Sequence, residues 1–148
     1  MSHYAENRKA RFNYEILEKY EAGIELLGSE VKSVRGGQMS FEGAFVIVRG
    51  GEAYLINASI PPYQPKNAEK DYDPLRNRRL LLTKKEISEL AGNEKSKSLT
   101  IVPISVYNRG RKIKVGIAAV KGKKKFDKRE TIKKRETDRE IRREYKGR

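Results

Sequence analysis

The sequence predicts a mainly β protein that ends in a basic tail. Three observations carry that expectation. Two β-rich runs, Ala44 to Arg49 and Glu52 to Ala58, are separated only by Gly50-Gly51, a two-residue hairpin signal. A second pair, Leu99 to Tyr107 and Arg111 to Val120, flanks the turn Asn108-Arg109-Gly110. Helical patterns in the first 120 residues are short and each is closed by glycine.

The elements follow in order. Met1 to Phe12 is polar and basic, with room for one helical turn. From Asn13 to Leu27, Tyr14 and Ile16, then Ile24 and Leu26, alternate with polar neighbours. This predicts two strand segments with a bend or bulge at Gly23. Gly28-Ser29 opens a short helix, with Ser29 as its N-cap. Val31 and Val34 lie three apart on one face, and Gly36-Gly37 ends the helix. Lys32 and Arg35 share another face, turned to solvent or a ligand.

Ile60 to Pro74 holds four prolines and no periodicity, so it is a loop. Arg76-Asn77-Arg78-Arg79 leads into Leu80-Leu81-Leu82, which suits a short buried strand. Thr83-Lys84-Lys85-Glu86 is a capping box, with Ile87 and Leu90 inward and Gly92 as the helix stop. Pro103 marks an edge or bulge in the next strand. In the last strand Ile113, Val115 and Ile117 point inward and Lys112 and Lys114 outward. The sum is six or seven short strands with two or three short helices. An OB-like, partly closed antiparallel barrel over residues 1–120 is the natural architecture, because closure removes edges. A split β-α-β sandwich is the alternative.

Residues 121–148 differ in character. They hold 14 Lys/Arg against 6 Asp/Glu, whereas residues 1–120 hold 20 against 14; the whole chain carries +14. Phe126, Ile132, Ile141 and Tyr145 form no apolar stripe. Glu130–Lys134 and Asp138–Arg142 are helix-favouring pairs that nothing buries. The tail is expected to be disordered when free and helical on a phosphate-lined surface. Such charge suits nucleic acid, since neutralised phosphates release counterions. It also suits an anionic membrane surface, or solubility alone.

Catalytic chemistry is hard to assemble. The 148 residues contain no Cys and one His, His3, near the terminus. Glu30, Glu42 and Glu52 are isolated carboxylates, and neither glycine pair precedes a P-loop Lys-Ser/Thr. No enzyme activity, cofactor or metal is expected. No apolar run approaches a membrane span and no signal segment opens the chain, so a cytoplasmic monomer is expected. RNA binding is chemically easier. Basic clusters at Arg8-Lys9-Arg11, Arg76–Arg79 and Arg109–Lys114 lie among tyrosines that can stack on unpaired bases.

Several strings together resemble one family. They are Asn7-Arg8-Lys9-Ala10, Tyr20 to Leu26, Gly28-Ser29-Glu30-Val31-Lys32-Ser33-Val34-Arg35, Pro74-Leu75-Arg76 with Arg78 to Leu82, and Lys121 to Arg129. The combination is similar to the SsrA-binding protein family (small protein B) of bacterial ribosome rescue, over nearly the whole chain. The resemblance implies an OB-like barrel that binds the tRNA-like part of transfer-messenger RNA and carries it to stalled ribosomes. It implies a tail that enters the decoding centre and the empty mRNA channel. It places RNA contacts on Tyr20, Glu30, Leu90 and Lys114, with Lys32 and Arg35 beside Glu30. The tail's functional stretch falls on Gly122, Lys123, Lys124, Lys125, Phe126, Asp127, Lys128 and Arg129. On physical grounds Glu30 either accepts from a base amino group or stabilises a helix N-terminus. Leu90 equally fits core packing. Tyr72 stands where the family often has His, and Ser98 where Gly is common. An OB-type ribosomal protein with an rRNA-penetrating tail is the rival expectation.

Overall fold

The fold is described from a computed structural model that covers residues 3–64, 71–95 and 99–122. Its elements are β1 (His3–Glu6), α1 (Arg8–Asn13), β2 (Tyr14–Ile24), α2 (Gly28–Arg35), β3 (Phe45–Arg49), β4 (Glu52–Ile56), β5 (Arg78–Leu81), α3 (Lys84–Lys95), β6 (Leu99–Arg109) and β7 (Lys112–Gly122). The strands are antiparallel, in the order β1-β6-β3-β4-β5-β2-β7, and β7 pairs back with β6. Six strands thus form a ring, and β1 shares an edge of β6 with β3. The seam between β3 and β6 is one residue pair, Val46 with Ile101, so closure is partial.

The hairpin forms as expected. Gly50 and Gly51 have φ of 59° and 74°, the left-handed pair that joins β3 to β4 with matching twist. The Pro103 irregularity also appears, as a register shift between Pro103 and Ser105. It divides β6 into a part paired with β3 and a part paired with β1.

Both faces of the long strands β6 and β7 are covered over much of their length. Inside the ring, Ala22, Leu55, Leu80, Leu90, Ile101, Val106, Val115 and Ile117 belong to the main core. On the outer face, Ala10 of α1 packs with Val102, Ala118 and Val120. The run Val115 to Val120 therefore reads as nearly continuous apolar sequence. Asn7 fixes α1 there: its side chain accepts from Ala10 N–H and donates to the Pro103 carbonyl at 2.9 Å.

Several local expectations change. The strand over Tyr14–Ile24 is continuous, with its irregularity between Ile16 and Glu18 rather than at Gly23. Gly23 is instead the point where the Leu81 side chain packs against bare backbone, with a hypothetical Cβ 3.1 Å from Leu81 Cβ. The N-cap of α2 is Leu27, not Ser29, and Glu30 reaches back to accept from Leu27 N–H at 2.8 Å. The strand β5 is not buried on both faces: it alternates, with Arg78 and Leu80 inward and Arg79 and Leu81 outward. Gly92 does not stop α3, which runs on to Lys95. The extra turn is held by Glu94, which accepts from Val48 N–H at 2.7 Å and pairs with Arg49. The strand β7 runs through Lys121 and Gly122, two residues past the boundary drawn at Val120. The tail from Lys123 onward, with its expected disorder-to-helix change, lies outside the described residues.

Candidate nucleic-acid interface

Arginines 76, 78 and 79 form one basic cluster in the sequence, and the structure gives them three different environments. Arg78 is fully buried. It donates to Glu30 through Nε (2.9 Å) and Nη2 (2.6 Å) and to the carbonyls of Ala58, Arg76 and Pro74. Arg79 is gripped on the surface by Glu52 and Glu25. Arg76 also donates to Glu30, with both Nε and Nη2. The cluster as a whole is therefore not a free phosphate surface.

Glu30 sits at the centre of this network. Burial alone would push its carboxyl up, but Arg76, the Leu27 N–H and Arg78 together hold it below the usual carboxylate value. Tyr72 closes the network: its hydroxyl lies 2.7 Å from the Ile60 carbonyl and 3.0 Å from Glu30, and accepts from Arg78. Burial and the Glu30 carboxylate raise the Tyr72 pKa. A Glu30 so enclosed offers no acceptor to a base. Its observed contacts go to arginines, to Tyr72 and to the first turn of α2.

The other expected residues fall in different places. Leu90 is fully buried in the main core. Tyr20 packs against that core, and its hydroxyl donates to Glu18 at 2.5 Å with Glu89 at 3.1 Å. Burial, then those two carboxylates, raise the Tyr20 pKa strongly. Such surroundings suit a phosphate poorly. Lys32 and Arg35 lie on α2, both exposed, and Lys114 is half-buried on β7.

Lys114 marks the region where the chemistry converges. Leu81, Gly23, Lys114 and Tyr107 are cross-strand neighbours in one row over β5, β2, β7 and β6. Beside that row lies a groove of about 350 Å³. Its apolar lining includes Ile24, Leu26, Val31, Leu81 and Ile113. Among the described residues its charged lining is Arg35, Arg111, Lys112 and Lys114, with no carboxylate. Arg35 is anchored across it, donating to the Arg111 carbonyl at 3.1 Å. Leu81 is 46% exposed although it sits on a core strand. The groove combines aliphatic surface with four cations, which suits phosphates flanked by base or sugar surface, and the Arg35 and Arg111 guanidinium planes are of the kind on which bases stack. At the edge, Glu21 accepts from the Tyr107 hydroxyl at 2.5 Å and pairs with Arg109. The sequence points to Arg35, Lys112 and Lys114 but not to Leu81, which reads as core. The alternation of β5 is the missing signal, hidden by three consecutive leucines.

A partly closed antiparallel barrel with a cationic, apolar-floored groove and a basic extension defines a class, the single-barrel nucleic-acid-binding proteins. A family model described as SmpB protein matches residues 4–147. The chain belongs to the SmpB family. It is 53% identical to the SsrA-binding protein of Elusimicrobium minutum, over 97% of this chain and 90% of that one. It is 48% identical to the SsrA-binding protein of Gloeothece citriformis, over 95% and 91%. A solved structure described as "tmRNA-SmpB: a journey to the center of the bacterial ribosome" matches with a TM-score of 0.69. That match has 48% identity and covers 82% of this chain and 85% of the other.

Proposed function

We propose that this chain binds the tRNA-like part of transfer-messenger RNA through the groove between α2, β5 and the turn end of β7, and delivers it to stalled ribosomes. The observation that carries this is the groove itself: among the described residues, four cations without a carboxylate around aliphatic side chains, of which Leu81 is exposed. Arg35, Arg111, Lys112 and Lys114 meet phosphates, and Leu81 with Ile24 and Leu26 meets base or sugar surface. Glu30 and Leu90 act from inside, by holding α2 and α3 in place. Tyr20 belongs to the acidic surface beside α3. Family membership supports the reading, since the relatives carry the name SsrA-binding protein. It does not favour a resident ribosomal protein.

The stretch Gly122 to Arg129 then serves a second RNA surface, in the decoding centre and empty mRNA channel. The strand β7 carries the groove lysines near its start and the tail at its end. At about 3.3 Å per residue, its 11 residues separate the two by roughly 30 Å. The protein breaks no bonds in this scheme; it brings two RNAs together. Among the described residues no helix is long and apolar enough to cross a membrane.

The test is to purify the protein from cells and sequence the RNA that accompanies it. One predominant transfer-messenger RNA is expected. Lys112→Glu should reduce that recovery and flatten the salt dependence of binding by about one unit of slope. Recovery of ribosomal RNA alone would overturn the reading.

A further inference from the structure

Arg76 differs from the groove cations in being held at two points by one carboxylate. Its Nε lies 3.1 Å from Glu30 Oε2, and its Nη2 donates to Glu30 Oε1, a two-point fork. The remaining nitrogen, Nη1, reaches the Asn77 carbonyl at 3.4 Å, a long bond. Glu30 cannot move, since Arg78 and Leu27 N–H hold the same carboxylate. Among the described residues one carboxylate thus serves two guanidinium groups, which leaves their cluster a net positive charge. Arg78 is sealed from solvent, so the surplus emerges at Arg76, whose side chain is 31% exposed. Arg79 shows the opposite balance, with two carboxylates on one guanidinium.

We propose that Arg76 is a phosphate-binding residue, pre-oriented by Glu30, that extends the RNA surface beyond the groove. A guanidinium locked along one edge presents its remaining N–H groups without first losing side-chain entropy. The place fits. Glu30 lies in the first turn of α2 and Arg35 at its end, about 7.5 Å apart along the axis. Arg76 on Glu30 and Arg35 in the groove thus flank the same short helix, one near its start and one at its end. The inference rests on the RNA-binding reading above.

The experiment measures binding of the full-length chain to a transcript of the tRNA-like region of transfer-messenger RNA over a range of salt concentrations. Wild type is compared with Arg76→Met, Arg76→Lys and Lys112→Met, each checked by thermal unfolding. Arg76→Met should lower the slope of log affinity against log salt by about 0.7–0.9, one phosphate's worth. Arg76→Lys should keep the slope and still bind more weakly than wild type, because it loses the fork. A structural role alone would weaken binding without changing the slope. An unchanged slope in Arg76→Met, with a lowered slope in Lys112→Met, overturns this proposal and leaves the groove intact. An unchanged slope in both overturns the groove reading itself. Should Arg76→Met unfold, Arg76→Lys decides: wild-type affinity there overturns the proposal.

Discussion

The Tyr107 ring leaves β6, crosses β7 at Gly116 and donates to Glu21 on β2. An added Cβ at Gly116 would lie 3.6 Å from the ring and 3.3 Å from Ser105 Oγ, so absence of a side chain clears the path. Burial, then the Glu21 carboxylate, push the Tyr107 phenol up to about 12. Gly116→Val should displace the ring and return that phenol toward its ordinary value, as tyrosine-labelled NMR titration would show. An unmoved titration would remove the role given to Gly116. Glu30 makes a second case. Glu30→Gln leaves Arg78 buried without its charge partner and should cost about 3–5 kcal/mol at neutral pH. The folded carboxyl titrates below its ordinary value of 4.5, so its contribution is complete above that pH and is lost as pH falls through the folded value. The stability gap between wild type and Glu30→Gln, followed by urea unfolding, should therefore narrow in acid. A gap that stays constant would mean that the network stabilises by shape rather than charge.

Among the elements, α3 shows both what local sequence can specify and where it stops. Its start is legible, because Thr83 and Glu86 cap each other's backbone N–H groups at 3.2 and 3.0 Å. Its end is not, because the partner that extends it past Gly92 is Val48, 46 residues away in sequence from Glu94. Gly92 is exposed and mid-helix, and a Cβ added there would meet nothing within 4 Å. Gly92→Ala should raise stability by up to about 1 kcal/mol in chemical denaturation. A loss would mean that the helix needs flexibility there. The strand β5 resists reading for a related reason. Leu80, Leu81 and Leu82 look alike in sequence, and only pairing with β2 and β4 decides which of them faces out. The hairpin at Gly50-Gly51 needs no distant partner, so sequence alone reveals it.

At the scale of the molecule, the barrel and the division into two basic regions are legible, since strand patterning and charge density are properties of the chain itself. The groove is not. It gathers Leu26, Arg35, Leu81 and Lys114 from separate segments, and charge counts cannot show that Arg78 and Arg79 are neutralised internally. The body ends with β7 paired to β2 as far as Gly122, so a chain cut after Gly122 retains every strand described. Changing Asp127, Lys128 and Arg129 together to Ala should abolish tagging of a stalled chain and spare RNA binding. On the function proposed above, one molecule holds two independent RNA surfaces, a groove at the start of β7 and a stretch beyond its end. That division is tested most directly by comparing residues 1–122 with the full chain for affinity to the tRNA-like RNA and for tagging on stalled ribosomes. The truncated chain should bind this RNA with most of the full chain's affinity and support no tagging. Loss of RNA binding along with tagging would contradict it.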